Sequence, residues 1–139
     1  MKFHQVEPEV AGGWGEGTVA RREPGRPPVV ERLHHVFDGW MGDELLETTP
    51  CFIVTEGLAE AIRAAGLSGV TFDAVEVGVS ETFVELQPAT VLPSWVWMKV
   101  EGVAGRDDFG LSPALILVVS DRALAVLGDR IVEAVVSPF

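Results

Sequence analysis

A single cysteine, Cys51, leaves no partner for an internal disulfide, so any stability must come from the packed core. Basic residues are scarce too. Ten Lys and Arg stand against 21 Asp and Glu, a formal net charge of −11. The deficit is spread along the chain rather than gathered in a tail, so the folded surface is expected to be negative. Such a field repels phosphate backbones and argues against nucleic acid as a partner. It favours a basic one, although acidity for solubility alone would look the same. Long apolar runs are missing: the longest, residues 114–119, falls far short of the ~20 residues of a membrane helix. The first seven residues turn polar and acidic without the apolar stretch of a secretory signal. The expected location is therefore the cytoplasm, with no membrane partner.

What is present is enough for one folded domain. The 139 residues are 47% hydrophobic, which suits a single core without a metal staple. The first fifty residues are rich in Gly and Pro. Residues 12–17 read as a loop too flexible for a regular element, and the basic cluster Arg21, Arg22, Arg26 and Arg32, broken by Pro24, Gly25, Pro27 and Pro28, reads as another. Short strands are expected at residues 18–22 and 30–37. In the second of these, at least one of His34 and His35 is expected to be half buried.

Two similar units follow, covering residues 51–79 and 115–137. In the first, the apolar strand 51–54 leads to Thr55, a side-chain helix cap, with Glu56 in the first turn. Leu58, Ile62 and Ala65 then fall on one helical face, Gly66 stops the helix, and residues 70–77 return as a strand. In the second, the strand 115–119 leads to the cap Ser120 and to Asp121. A shorter face of Ala123, Leu124 and Leu127 ends at Gly128, and residues 130–136 return. Convergence on the commonest way to start and stop a helix would give the same pattern. The expectation is an α+β single domain, 1–139, mostly antiparallel, with two short helices, each in a strand–helix–strand unit.

Several residue groups invite a chemical reading. Residues 94–101 alternate as a strand, with Val96, Met98 and Val100 on the core face and Trp95, Trp97, Lys99 and Glu101 on the other. Either a loop covers the two tryptophans or they anchor a partner. The segment 38–46 brackets Trp40 and Met41 with Gly39 and Gly42 and flanks them with acids. It reads either as a connection plugged by Trp40 or as a recognition loop with apolar anchors inside an acidic rim. The partner-binding residues expected from these patterns are Trp40, Asp43, Glu44, Trp95 and Trp97. Asp107 and Asp108 lie in a Gly-flanked turn; such a pair either bonds nearby amides or serves as a weak candidate for metal binding or acid–base chemistry. His34 and His35 point to opposite strand faces and cannot readily share one ion. Cys51 reads as a buried, inert thiol. No catalytic residue, resident metal or cofactor is assigned.

The segment Leu117-Val118-Val119-Ser120-Asp121-Arg122-Ala123-Leu124 resembles a recurring stretch of small bacterial proteins associated with polymorphic toxin loci and regarded as candidate immunity proteins. Phe52-Ile53-Val54-Thr55-Glu56-Gly57-Leu58 resembles it in weaker form, with Gly57 in place of a bulky residue. The turn Gly105-Arg106-Asp107-Asp108-Phe109-Gly110 is similar as well. The resemblance implies a non-enzymatic protein that blocks a basic toxin domain by binding it. A small metal-assisted hydrolase using Asp107 and Asp108, and a structural or assembly subunit, stand as alternatives.

Overall fold

The computed structural model describes residues 2–139. The chain runs through β1 (Phe3–Glu7), β2 (Gly12–Trp14), β3 (Val19–Arg21), β4 (Val29–Arg32), β5 (His34–Phe37), β6 (Leu45–Thr48) and β7 (Cys51–Thr55). Then come α1 (Glu56–Ala64), β8 (Val70–Asp73), β9 (Glu76–Val79), α2 (Glu81–Leu86) and β10 (Trp95–Val100). The last part holds β11 (Phe109–Leu111), β12 (Leu117–Ser120), α3 (Asp121–Leu127), a 3-10 turn (Gly128–Ile131) and β13 (Val135–Pro138). The α+β, mostly antiparallel domain expected from the sequence is present, with three α-helices among the described residues rather than the two expected.

The repeated unit is deeper than a shared helix start. Two four-stranded antiparallel sheets are ordered β6-β7-β10-β8 and β11-β12-β1-β13. In each, a hairpin supplies the first two strands, the second of which runs into a capped helix. The strand after that helix takes the far edge, and a strand from elsewhere in the chain fills the gap: β10 in one sheet, β1 in the other. The caps match atom for atom. Thr55 Oγ1 accepts from the Leu58 N–H, and Ser120 Oγ accepts from the Ala123 N–H, each at 3.1 Å. Each hydroxyl also donates to an acid at the foot of its hairpin, Thr55 to Glu44 at 2.7 Å and Ser120 to Asp108 at 2.6 Å. The carbonyls of the same two acids accept the Thr55 and Ser120 N–H groups at 3.0 and 2.9 Å. An arginine completes each set, Arg130 on Glu44 at 2.8 Å and Arg122 on Asp108 at 3.0 Å. Such a cap is worth about 1 kcal/mol.

One core joins the inner faces of both sheets to α1 and α3, with Phe52, Met98, Phe109, Leu58 and Leu127 among its buried members. The outer face of the first sheet is buried too, under a third layer. That layer is the sheet β2-β5-β9, in which β2 pairs antiparallel and β9 parallel to β5, together with α2; the hairpin β3-β4 stands beside it. Leu46, Ile53 and Trp97 of the first sheet meet Leu33, Phe37 and Phe83 of the layer in a second core.

Several expected boundaries move. Residues 12–14, expected as loop, form β2. Gly15 just beyond has no room for a side chain, because a Cβ there would collide with the His34 ring. The strand expected over 30–37 breaks at Leu33 into β4 and β5, which enter different sheets. The return strand expected over 70–77 splits likewise into β8 and β9. Residues 130–136 begin in the 3-10 turn, and the strand forms only at Val135. Leu115, expected to start a strand, has φ 64° and closes the three-residue turn of the β11-β12 hairpin, where the Leu115 N–H donates to the Ser112 carbonyl.

Candidate functional site

The residues expected to meet a partner are mostly internal. Trp95 and Trp97 are 7% and 5% exposed, so neither can anchor a partner on the surface. Their strand alternates as expected, but the first sheet is sandwiched between two cores and both of its faces are covered. Trp40 and Phe37 lie against Trp95, with ring centroids 5.8 and 5.5 Å away. Lys99 lies over the Trp97 ring, 4.8 Å from its centroid. Asp43 is buried as well, and its Oδ2 accepts from the Glu133 N–H at 2.8 Å. Glu44 is the structural acid of the first repeat. Both carboxylates are therefore committed to the fold.

Asp107 and Asp108 are committed in the same way, Asp107 to a nearby turn amide and Asp108 to partners 12 to 40 residues away in the chain. Asp107 accepts from the Val103 N–H at 2.7 Å. Asp108 is buried and accepts from the Ser68 N–H at 2.9 Å, besides its bonds to Ser120 and Arg122. Burial alone would raise its pKa, but these donors outweigh burial and hold it at about 2. No group of three or more His, Cys, Asp or Glu among the described residues is arranged to hold a metal ion. No helix among them is long and apolar enough to cross a membrane.

His34 and His35 face opposite ways, as their spacing requires. His34 Nδ1 accepts from the Gly17 N–H at 3.0 Å on the outer side. His35 is wholly buried beside Phe37, and neither ring nitrogen meets a protein partner. Burial lowers its pKa to about 4; the nearby Asp38 opposes that shift and His34 adds to it. Cys51 is buried, which pushes its thiol up to about 12.

About half of the exposed large apolar side chains lie around β9, α2 and the Trp40 loop; the others, Val132, Val135 and Phe139 among them, lie elsewhere, toward the C-terminal strand and on β3 and β4. Met41 and Leu86 are 71% and 72% exposed, and both line a hollow of about 580 Å³ with Val10, Trp40, Asp38 and Gln87. On the other side of α2, Val79 and Val84 line two further hollows, one edged by Glu81 and Glu85. Gln87 belongs to hollows on both sides, so the surface is continuous around the helix. No Lys or Arg lines any of the three.

The Trp40 loop is fixed rather than floppy. Gln87 clamps the Trp40 main chain, its Oε1 accepting from the N–H at 2.6 Å and its Nε2 donating to the carbonyl at 3.0 Å. Trp40 Nε1 donates to the Asp43 carbonyl at 2.8 Å. Glu9, nearly buried, receives the Met41 N–H at 2.8 Å and the Asp43 N–H at 3.3 Å. Burial raises the Glu9 pKa, the Asp43 and Glu133 carboxylates add to this, and the two N–H groups oppose it. Trp40 therefore plugs the second core, while Met41 is held outward on a rigid turn.

Comparison with protein-family models, curated proteins and solved structures finds no significant match. The surface has to be read from its own chemistry. Of the five residues expected from the sequence to bind a partner, only Trp40 borders it, together with Met41, its neighbour in the expected recognition loop. Val10, Val84 and Leu86 went unassigned, although Val84 and Leu86 beside Glu81 and Glu85 give α2 an outer face both apolar and acidic. That helix was missed because, at six residues, it has too few positions to display a helical period.

Proposed function

We propose that this chain is a non-catalytic protein-binding domain whose working surface is the apolar hollow between α2 and the Trp40 loop. The observation that carries the reading is the outward display of Met41 and Leu86 on a loop and a helix locked together by Gln87. Large apolar side chains held rigidly in solvent lose little freedom on binding, which is what an interface anchor requires. Asp38, Glu81 and Glu85 around them, with a net charge of −11, favour a basic partner and would speed its approach. The resemblance of residues 117–124 and 52–58 to candidate immunity proteins makes a basic toxin domain the partner of choice, with a bacterial, cytoplasmic setting. Neutralisation would then be stoichiometric occlusion, with no bond made or broken.

The test uses the C-terminal domain of a toxin encoded beside this chain, titrated calorimetrically. Met41→Asp combined with Leu86→Asp should weaken binding about 100-fold or more without shifting the unfolding midpoint, since both side chains lie in solvent. Asp38→Lys with Glu85→Lys should flatten the salt dependence. A wild-type protein that ignores the toxin domain, or a double Asp variant that binds it unchanged, would overturn the proposal.

A further inference from the structure

Among the described residues, β9 has one strand neighbour, β5, and forms the open edge of the third sheet. The Glu76 N–H donates to the Leu33 carbonyl at 3.0 Å and the Ser80 N–H to the Phe37 carbonyl at 2.9 Å. These bonds fix the parity of the strand. Glu76, Gly78 and Ser80 turn their main-chain groups toward β5, so Val77 and Val79 turn theirs outward. Open edges are commonly blunted by Lys, Pro, a bulge or a covering element. β9 contains neither Lys nor Pro, its register with β5 runs without a shift, and Val77 and Val79 are 37% and 45% exposed. Val79 also lines the hollows beside α2, which makes the edge continuous with the surface described above. Asp73, Glu76, Glu81 and Glu85 lie exposed along it; Asp73 is paired with Lys99 at 3.7 Å and Glu76 with Arg32 at 3.2 Å, so Glu81 and Glu85 carry the uncompensated charge.

We infer that β9 accepts an extended, cationic segment of the partner as a fourth strand. The inference rests on the protein-binding reading and adds its mode: outward N–H and C=O groups of Val77 and Val79 supply the main-chain bonds, and the unpaired Glu81 and Glu85 select Lys and Arg. A second copy of this chain suits the edge poorly. Pairing β9 with itself would bring the unpaired Glu81 and Glu85 of two molecules of charge −11 together.

The probe is a fluorescein-labelled Lys-Val-Lys-Val-Lys-Val-Lys peptide, read by anisotropy at low salt. Val79→Pro deletes an outward N–H and leaves the bonds to β5 intact, whereas Val79→Thr keeps that N–H. The Thr variant should bind like wild type and the Pro variant about tenfold more weakly, the worth of one hydrogen bond. With wild-type protein, which removes any question of folding, N-methylation of one alternate set of peptide amides should cost at least as much. Methylation of the other set should cost little. A Glu-Val peptide should not bind. Indifference to both Val79→Pro and N-methylation, no binding of the Lys-Val peptide, or a dimer in light scattering that Val79→Pro disperses would overturn the inference. The protein-binding reading is judged separately by the toxin-domain titration: a partner sensitive to Met41→Asp with Leu86→Asp but indifferent to Val79→Pro leaves that reading standing and removes this one.

Discussion

Acid should drain stability from this fold through His35 before it reaches the carboxylates. The ring lies in the second core, edge-on to Phe37 with centroids 4.5 Å apart, and neither nitrogen meets a protein partner. Burial holds its pKa at about 4 against an ordinary 6.5, with Asp38 opposing and His34 adding to the shift. Because the folded value is the lower one, the unfolded chain takes up the proton first. The contribution is complete above pH 6.5 and is lost as pH falls toward 4. The slope in that window is roughly 1.4 kcal/mol per pH unit, which amounts to about 3 kcal/mol in all. Against a typical total of about 5–15 kcal/mol, the loss would be plain in any unfolding curve.

The measurement is urea unfolding from pH 7 to pH 4 for wild type and for His35→Leu. Glu9 titrates with the opposite sign, since its raised pKa favours the folded state at low pH. Subtracting the two proteins cancels it. Asp108 holds its carboxylate down to about pH 2 and acts below the window. The variant should equal or exceed wild type at pH 4. At pH 7 it should stand within about 2 kcal/mol, because leucine trades two desolvated ring nitrogens for similar apolar volume. A wild-type-minus-variant difference that stays flat across the window would refute the burial argument, whatever the absolute stabilities.

The matched acids of the two repeats differ in exposure, and truncation should rank them accordingly. Asp108→Ala strips the pairing from Arg122, Ser120 and the Ser68 N–H at a buried site and should cost about 3–5 kcal/mol in chemical unfolding; Glu44→Ala, half exposed, should cost about 1–2 kcal/mol. Gly102→Ala would place a methyl group against the Phe109 carbonyl and the Gly69 backbone, so a loss of about 2 kcal/mol or more is expected, while Gly13→Ala, with open space around it, should come within about 1 kcal/mol of wild type. Cys51 should resist an aromatic disulfide reagent in the native protein and react only at the rate of opening. Rapid native labelling would show that burial does not hold its thiol at about 12.

The local grammar of the chain was readable and its long-range partners were not. Thr55 and Ser120 announce themselves as caps because a hydroxyl before an acid and an apolar helical face has one common use. Nothing near them in sequence says that Glu44 and Asp108, 11 and 12 residues upstream, bind those same hydroxyls. Trp95 and Trp97 misled for a related reason. Alternation assigns side chains to two faces of a strand but cannot tell which face meets solvent, and a sheet between two cores has no wet face. β1 went unseen because its polar and charged residues hide a strand whose register is set by β12 and β13.

The repeated arrangement also locates where function could settle. The sheets β6-β7-β10-β8 and β11-β12-β1-β13 are built by the same steps, with acid, cap and arginine spent on holding each hairpin to its helix. Change there meets buried bonds in both copies. The elements without a counterpart in the repeat enter at two connections. One precedes a repeated hairpin, as the link from β1 to Glu44 that holds β2–β5 and the Trp40 loop, whereas the equivalent link from β10 to Asp108 is a short turn. The other is β9 with α2, between β8 and β10. These elements pack on each other over the outer face of one sheet, and Val10, Met41, Val84 and Leu86 all belong to them. A surface carried by the added elements of a repeated frame can vary without disturbing either capped helix, which is the freedom the proposed binding role requires.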